Sequence, residues 1–133
     1  MRENITPDNY KAKALFKMAN ELLERTKYIP IKKFPSPNLS DFYDIIHMLI
    51  EALFSMKGIK FRGDGAHIET IDEAKNQGYI SESDRVFIQQ IRSMRNRHKY
   101  EGFSISIDFV LRNEDKILKI IENLKNKISN YTY

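Results

Sequence analysis

Apolar positions recur at three- and four-residue spacing along most of the chain, the signature of amphipathic helices. Ala14, Leu15, Met18, Ala19, Leu22 and Leu23 trace the first face. Thr6-Pro7-Asp8 opens that helix with Thr6 as N-cap and Pro7 at the first helical position, where a missing N–H costs nothing. It ends near Lys27, and Tyr28–Asn38, with Pro30, Pro35 and Pro37, reads as an extended connection. A second helix is predicted from Ser40-Asp41 to Lys57, stopped by Gly58. Ile45, Ile46, Met48, Leu49, Ile50, Leu53 and Phe54 make it apolar around most of its circumference, which places it centrally.

Lys60–Gly65, with two Gly flanking Asp64, reads as a loop. Ala66–Gln77 forms a short third helix with Ile68, Ile71 and Ala74 inward, and Gly78 ends it. Ser81-Glu82-Ser83-Asp84 places acidic groups at the start of a fourth helix, where the dipole favours them. This helix continues through Phe87, Ile88, Ile91 and Met94 to about Tyr100, and Gly102 closes it. Ser104-Ile105-Ser106-Ile107 alternates like a strand but is too short for a sheet, so Phe103–Leu111 reads as a loop leading into a helical turn. The last helix covers roughly Asn113–Ser129. No convincing strand pattern competes. The expected fold is all-α, an up-and-down bundle of four to five helices centred on the second and fourth.

At 133 residues this is one domain, residues 1–133, and large enough to bury a core without staples. With no Cys, thiolate zinc, thiol catalysis and disulfides are excluded. The three His residues are too scattered for a metal site, so neither metal nor cofactor is expected. No membrane span and no signal-peptide core are visible, and a cytoplasmic location follows by default. The net charge of +4 permits a nucleic-acid partner only if the charge is concentrated.

It is concentrated in one place. Between Arg92 and Lys99, four side chains are permanently cationic and His98 is a fifth basic group. At about 100° per residue, Phe87, Ile91, Met94 and His98 share one buried stripe. Arg95 lies at its edge, Arg92 and Asn96 lie further round, and Arg97 points away. A helix C-terminus favours cations, which accounts for Arg97, His98 and Lys99 without a function. Arg95 is less well explained, because a buried guanidinium needs a carboxylate, a subunit interface or an anionic ligand. His47 reads as a hydrogen-bonded core or interface residue, and Gly63-Asp64-Gly65 before His67 as a turn rather than a phosphate loop. Asp41, Asp44, Asp72 and Glu73 read as solvated helix faces.

Glu51–Gly58 ending the second helix, the short helix opened near His67, and the segment Arg95-Asn96-Arg97-His98-Lys99-Tyr100-Glu101-Gly102 together resemble the HEPN family of small helical proteins. Arg92, five residues, His98 and then Tyr100 match that family's ribonuclease spacing, although Ser93 stands where a residue such as Asn commonly follows the Arg. The motif Arg is therefore either Arg92 or Arg95. The resemblance implies a homodimer with one cleft built from two chains, the apolar stripe of the fourth helix being the seam. It implies catalytic roles for Arg92, Arg95, Asn96 and His98, and contacts to RNA or nucleotide from Arg92, Arg95, Lys99 and Tyr100. In such chemistry a His moves a proton to or from a 2′-hydroxyl or leaving oxygen, while an Arg holds the phosphate oxygens, with no metal. It further implies a toxin–antitoxin-like or nucleotidyltransferase-associated system, with a small nucleotidyltransferase protein as partner. A non-catalytic dimeric helical scaffold or protein-interaction module is the alternative.

Overall fold

A computed structural model describes residues 1–132. The elements run β1 (Arg2–Asn4), α1 (Asn9–Thr26), α2 (Pro35–Lys57), β2 (Ile59–Phe61), α3 (Ala66–Asn76), α4 (Glu82–Glu101) and α5 (Ile107–Thr132). The molecule is thus mostly helical, as the periodicity predicts, with a small antiparallel sheet that the sequence reading missed. β1 pairs with β2 in the register Arg2↔Phe61, Glu3↔Lys60 and Asn4↔Ile59. Three-residue strands carry too few alternations to register as a pattern.

The hub is α2, which packs against α1, α3, α4, α5 and β2. Leu39, Tyr43, Ile45, Ile46, Leu49, Ile50 and Ala52 are all fully buried along it. By contrast, α4 is not a second centre. It packs mainly on α2 and α3 and buries only Phe87, Ile88 and Ile91 completely. Phe87 and Ile91 lie in the chain's own core, while Met94 and His98, further along the same stripe, are only partly buried.

Several helix starts shift, each for an identifiable reason. Asp8, not Thr6, caps α1: its carboxylate accepts from Lys11 N at 2.9 Å. The preceding chain stays extended, with Ile5 N donating to Gly58 O and Asp8 N to Ser55 O. α2 begins at Pro35 rather than Ser40. Pro35 and Pro37 sit in its first turn, where amides have no intrahelical acceptor and a missing N–H costs nothing. In α3, Ile71 and Ala74 face the core as expected, whereas Ile68 is 41% exposed. α5 starts at Ile107, six residues before Asn113, with the Ser106 hydroxyl accepting from Phe109 N at 3.3 Å. Of the alternating segment only Ile105 is buried, its N–H donating to the Ser36 hydroxyl. Among the described residues no helix is long and apolar enough to cross a membrane.

Candidate functional site

The basic end of α4 is built by the helix running on to Glu101 and stopping at Gly102, whose φ of 71° is left-handed and whose N–H meets Arg97 O and His98 O. The question posed by Arg95 has an internal answer. Its guanidinium, only 17% exposed, reaches the Asp44 carboxylate at 3.2 Å and Asn96 Oδ1 at 3.3 Å. It also lies 5.5 Å from the centre of the Tyr43 ring. Asp44 is therefore not a solvated helix-face residue. Burial raises its pKa and Arg95 opposes the rise.

The other members of the motif are disposed differently. Arg92 is half-buried and uses Nε to bond Gln89 Oε1 at 2.8 Å, with no carboxylate partner among the described residues. Lys99 rests over the Tyr100 ring at 5.5 Å and makes no ion pair among the described residues, and Tyr100 is 73% exposed. Arg97 points outward as expected, stacked 4.1 Å over Phe103 and 3.8 Å from Glu101. His98 does not hydrogen-bond to either Arg. Its Nδ1 meets the Phe103 carbonyl at 2.7 Å, and since a carbonyl only accepts, Nδ1 carries the proton. Arg95 and Asn96 are thus in contact, as are Lys99 and Tyr100, while Arg92 and His98 each engage a neighbour outside the motif.

Beside Arg95 stands a polar cluster that the sequence reading did not assemble. Tyr43, His47 and Glu51 lie at successive four-residue steps on one face of α2. His67 joins them from the first turn of α3, stacked on His47 with ring centres 3.9 Å apart and planes 11° from parallel. Tyr43 Oη meets His67 Nδ1 at 2.8 Å, and the His47 Nδ1–H donates to Glu51 at 2.7 Å. Lys60 of β2 reaches the same carboxylate at 3.4 Å. His47 is hydrogen-bonded within the fold, as its place on an apolar helix suggested, but to a functional-looking set of partners. The detectable signal was the four-residue spacing of three polar groups on an otherwise apolar helix.

The charges of this cluster follow from its packing. Burial alone would raise Glu51, but the hydrogen bond and charge of His47, with Lys60, outweigh it and hold the carboxyl down at about 2. Burial against α2, then the charges of His47 and Arg95, push His67 down to about 4, so it is neutral near pH 7. Burial raises the Tyr43 hydroxyl, with Arg92 and Arg95 pulling the other way, so Tyr43 stays protonated. Both arginines thus act electrostatically on Tyr43 and His67, and Arg95, set against the Tyr43 ring, links the end of α4 to the α2–α3 cluster. No group of three or more His, Asp or Glu among the described residues could hold a metal ion. Searches against known protein families, curated proteins and solved structures return no match for this chain.

Proposed function

We propose that the protein is a HEPN-like module that binds RNA or nucleotide phosphate on the α4 face, with Arg92 as the principal contact. The observation that carries this reading is charge compensation. Arg95 is satisfied by Asp44, while the half-buried Arg92 has its two terminal amino groups uncommitted to any carboxylate. Such a guanidinium suits a phosphate, whose oxygens accept two parallel hydrogen bonds from it. Lys99 and Tyr100, exposed about two turns further on, can add a charge and a stacking ring. Arg95 and Asn96 act on this reading by holding Tyr43 and the helix end in place. The chain works as a homodimer with a small nucleotidyltransferase protein as its partner in the cell, and light scattering tests the first of these.

A second reading, metal-independent RNA cleavage, draws on His98. Its Nδ1–H is tied to the Phe103 carbonyl, which leaves the lone pair on Nε2 of the neutral ring as a proton acceptor. The experiment is titration of a labelled single-stranded RNA in EDTA, following binding and strand scission together. Saturable binding supports the phosphate-binding reading. Scission to cyclic phosphate ends that is lost in His98→Ala supports the second. Absence of binding to RNA and to nucleotides favours the scaffold alternative.

A further inference from the structure

Beside the His47–His67 stack, a cavity of about 140 Å³ opens between α2, α3 and β2, with Lys11 of α1 completing its wall and no α4 residue in its lining. It is far smaller than the roughly 300–1,000 Å³ of a drug- or cofactor-sized pocket, and it suits a group of a few heavy atoms. One part of the lining is apolar, from Phe54, Ile59 and Phe61. The remainder carries charge. Lys11 makes no ion pair among the described residues, and Lys60 shares the single carboxylate present, Glu51, with His47. Thr70 is not available, since its hydroxyl donates to Ala66 O at 2.7 Å.

His47 sets the chemistry. Its Nδ1–H is committed to Glu51, and its buried Nε2 has no hydrogen-bond partner. A buried polar atom without a partner is costly. On the neutral ring Nε2 only accepts, so an anion pairs with it only once the ring is protonated and Nε2–H donates. With the imidazole protonated, three cationic groups face one carboxylate around a small space. We propose that this cavity binds a tetrahedral oxyanion of the phosphate or sulfate class, and that His47 takes up a proton as the anion enters.

The surrounding charges set the balance of that proton uptake. Glu51 and the anion favour the imidazolium, and Asp44 adds a weaker pull from the same helix. Lys60 from β2 and Lys11 from α1, which line the same cavity, oppose it, and Arg92 and Arg95 from α4 face the cluster through the stacked His67, on which both act. His67 from α3 stays neutral, because two stacked imidazoles cannot both charge readily, and Tyr43 keeps its proton. The anion supplies the charge that tips this set toward protonation.

Sulfate is the probe, because its charge does not change between pH 5.5 and 8, whereas that of phosphate does. Titration of the full chain, followed through the His47 ring signals by NMR, should give saturable one-to-one binding. It should be about three- to tenfold tighter near pH 6 than near pH 8. Lys11→Met and Lys60→Met should each weaken it about tenfold, and Lys32→Met, on an exposed connection away from the cavity, should not. His47→Gln should flatten the pH dependence while both lysines remain. A single-stranded oligonucleotide that displaces sulfate identifies a backbone phosphate as the anion, and one that does not identifies a free anion. Binding that does not saturate, leaves the His47 signals unmoved, or falls equally in Lys32→Met overturns the proposal. RNA binding at the α4 face is a separate readout, so the failure of one leaves the other standing.

Discussion

The α2–α3 cluster and the basic end of α4 hold similar side chains under opposite conditions. In the first, Tyr43, His67, Glu51, His47 and Lys60 are joined by short contacts across three elements, and only His47 Nε2 among their buried polar atoms is left over. In the second, one helix supplies every group, and only Arg95 has a carboxylate from another element. Arg92 and Lys99 have none among the described residues. The lesson is that density of charge along the sequence does not identify the groups free to bind an anion. Compensation does, and it is decided by residues that come from elsewhere in the chain.

The largest difference between the two regions is expected at the glycines that end their helices. Gly58 and Gly102 share a left-handed backbone, with φ of 75° and 71°. A Cβ at Gly58 would collide with the Ile5 carbonyl, backbone that anchors β1, whereas at Gly102 it meets nothing within 4 Å. Gly58→Ala should therefore cost about 3 kcal/mol or more, from strain and a forced shift of the N-terminal segment, and Gly102→Ala about 1 kcal/mol from strain alone. Denaturant unfolding of both variants measures this. Equal losses would mean the corner at Gly58 is looser than its contacts indicate.

Next in size is Glu51→Gln, which leaves Lys60 without an anion and removes the charge opposite His47. A loss of about 2 kcal/mol at neutral pH is expected, within the range for a partly buried charged hydrogen bond. The sign with pH is fixed by the depressed pKa. The stabilisation from Glu51 is fully present above the ordinary 4.5 and is lost as pH falls toward about 2. The variant's deficit should therefore shrink over that range, and a deficit constant with pH would detach Glu51 from the cluster.

A smaller effect belongs to His67. Its proton affinity is lower folded than unfolded, so the unfolded chain takes up protons first, and stability should fall between pH 6.5 and about 4. Because part of the ring faces solvent, screening reduces the loss to about 1 kcal/mol. Thermal unfolding across this range should show a shallower decline in His67→Gln than in the parent. An unchanged slope would place the acid sensitivity elsewhere.

How much of this was legible beforehand follows from the range of the interactions. The faces of α2 and α4 and the stops at Gly58 and Gly102 were readable because they depend on neighbours three or four residues apart, whereas on α1 the buried face takes in Ala12 and Phe16 and leaves Ala14 and Met18 exposed. The starts of α2 and α5 were not. Prolines at Pro35 and Pro37 look like breakers until the first-turn geometry absorbs them, and Ser106 caps a helix inside an apparent strand. Arg95 announced its need for a partner, but Asp44 lies fifty-one positions away and looked like any surface acid. The His47–His67 stack joins residues from two helices that no local spacing relates, and the β1–β2 pair spans a wider gap still.

The central claim is that Arg92, the uncompensated guanidinium, is where the α4 face takes phosphate. Titration of a labelled single-stranded RNA at fixed, low salt against the parent, Arg92→Ala and Arg97→Ala tests it most directly, since phosphate contacts weaken as salt rises. Arg92→Ala should lose about 1.5–3 kcal/mol of binding, the scale of a hydrogen bond to a charged group. Arg97→Ala, exposed and already set against Phe103 and Glu101, should lose well under 1 kcal/mol. Equal losses from the two variants would contradict the account and mean that RNA meets a diffuse positive field rather than a site.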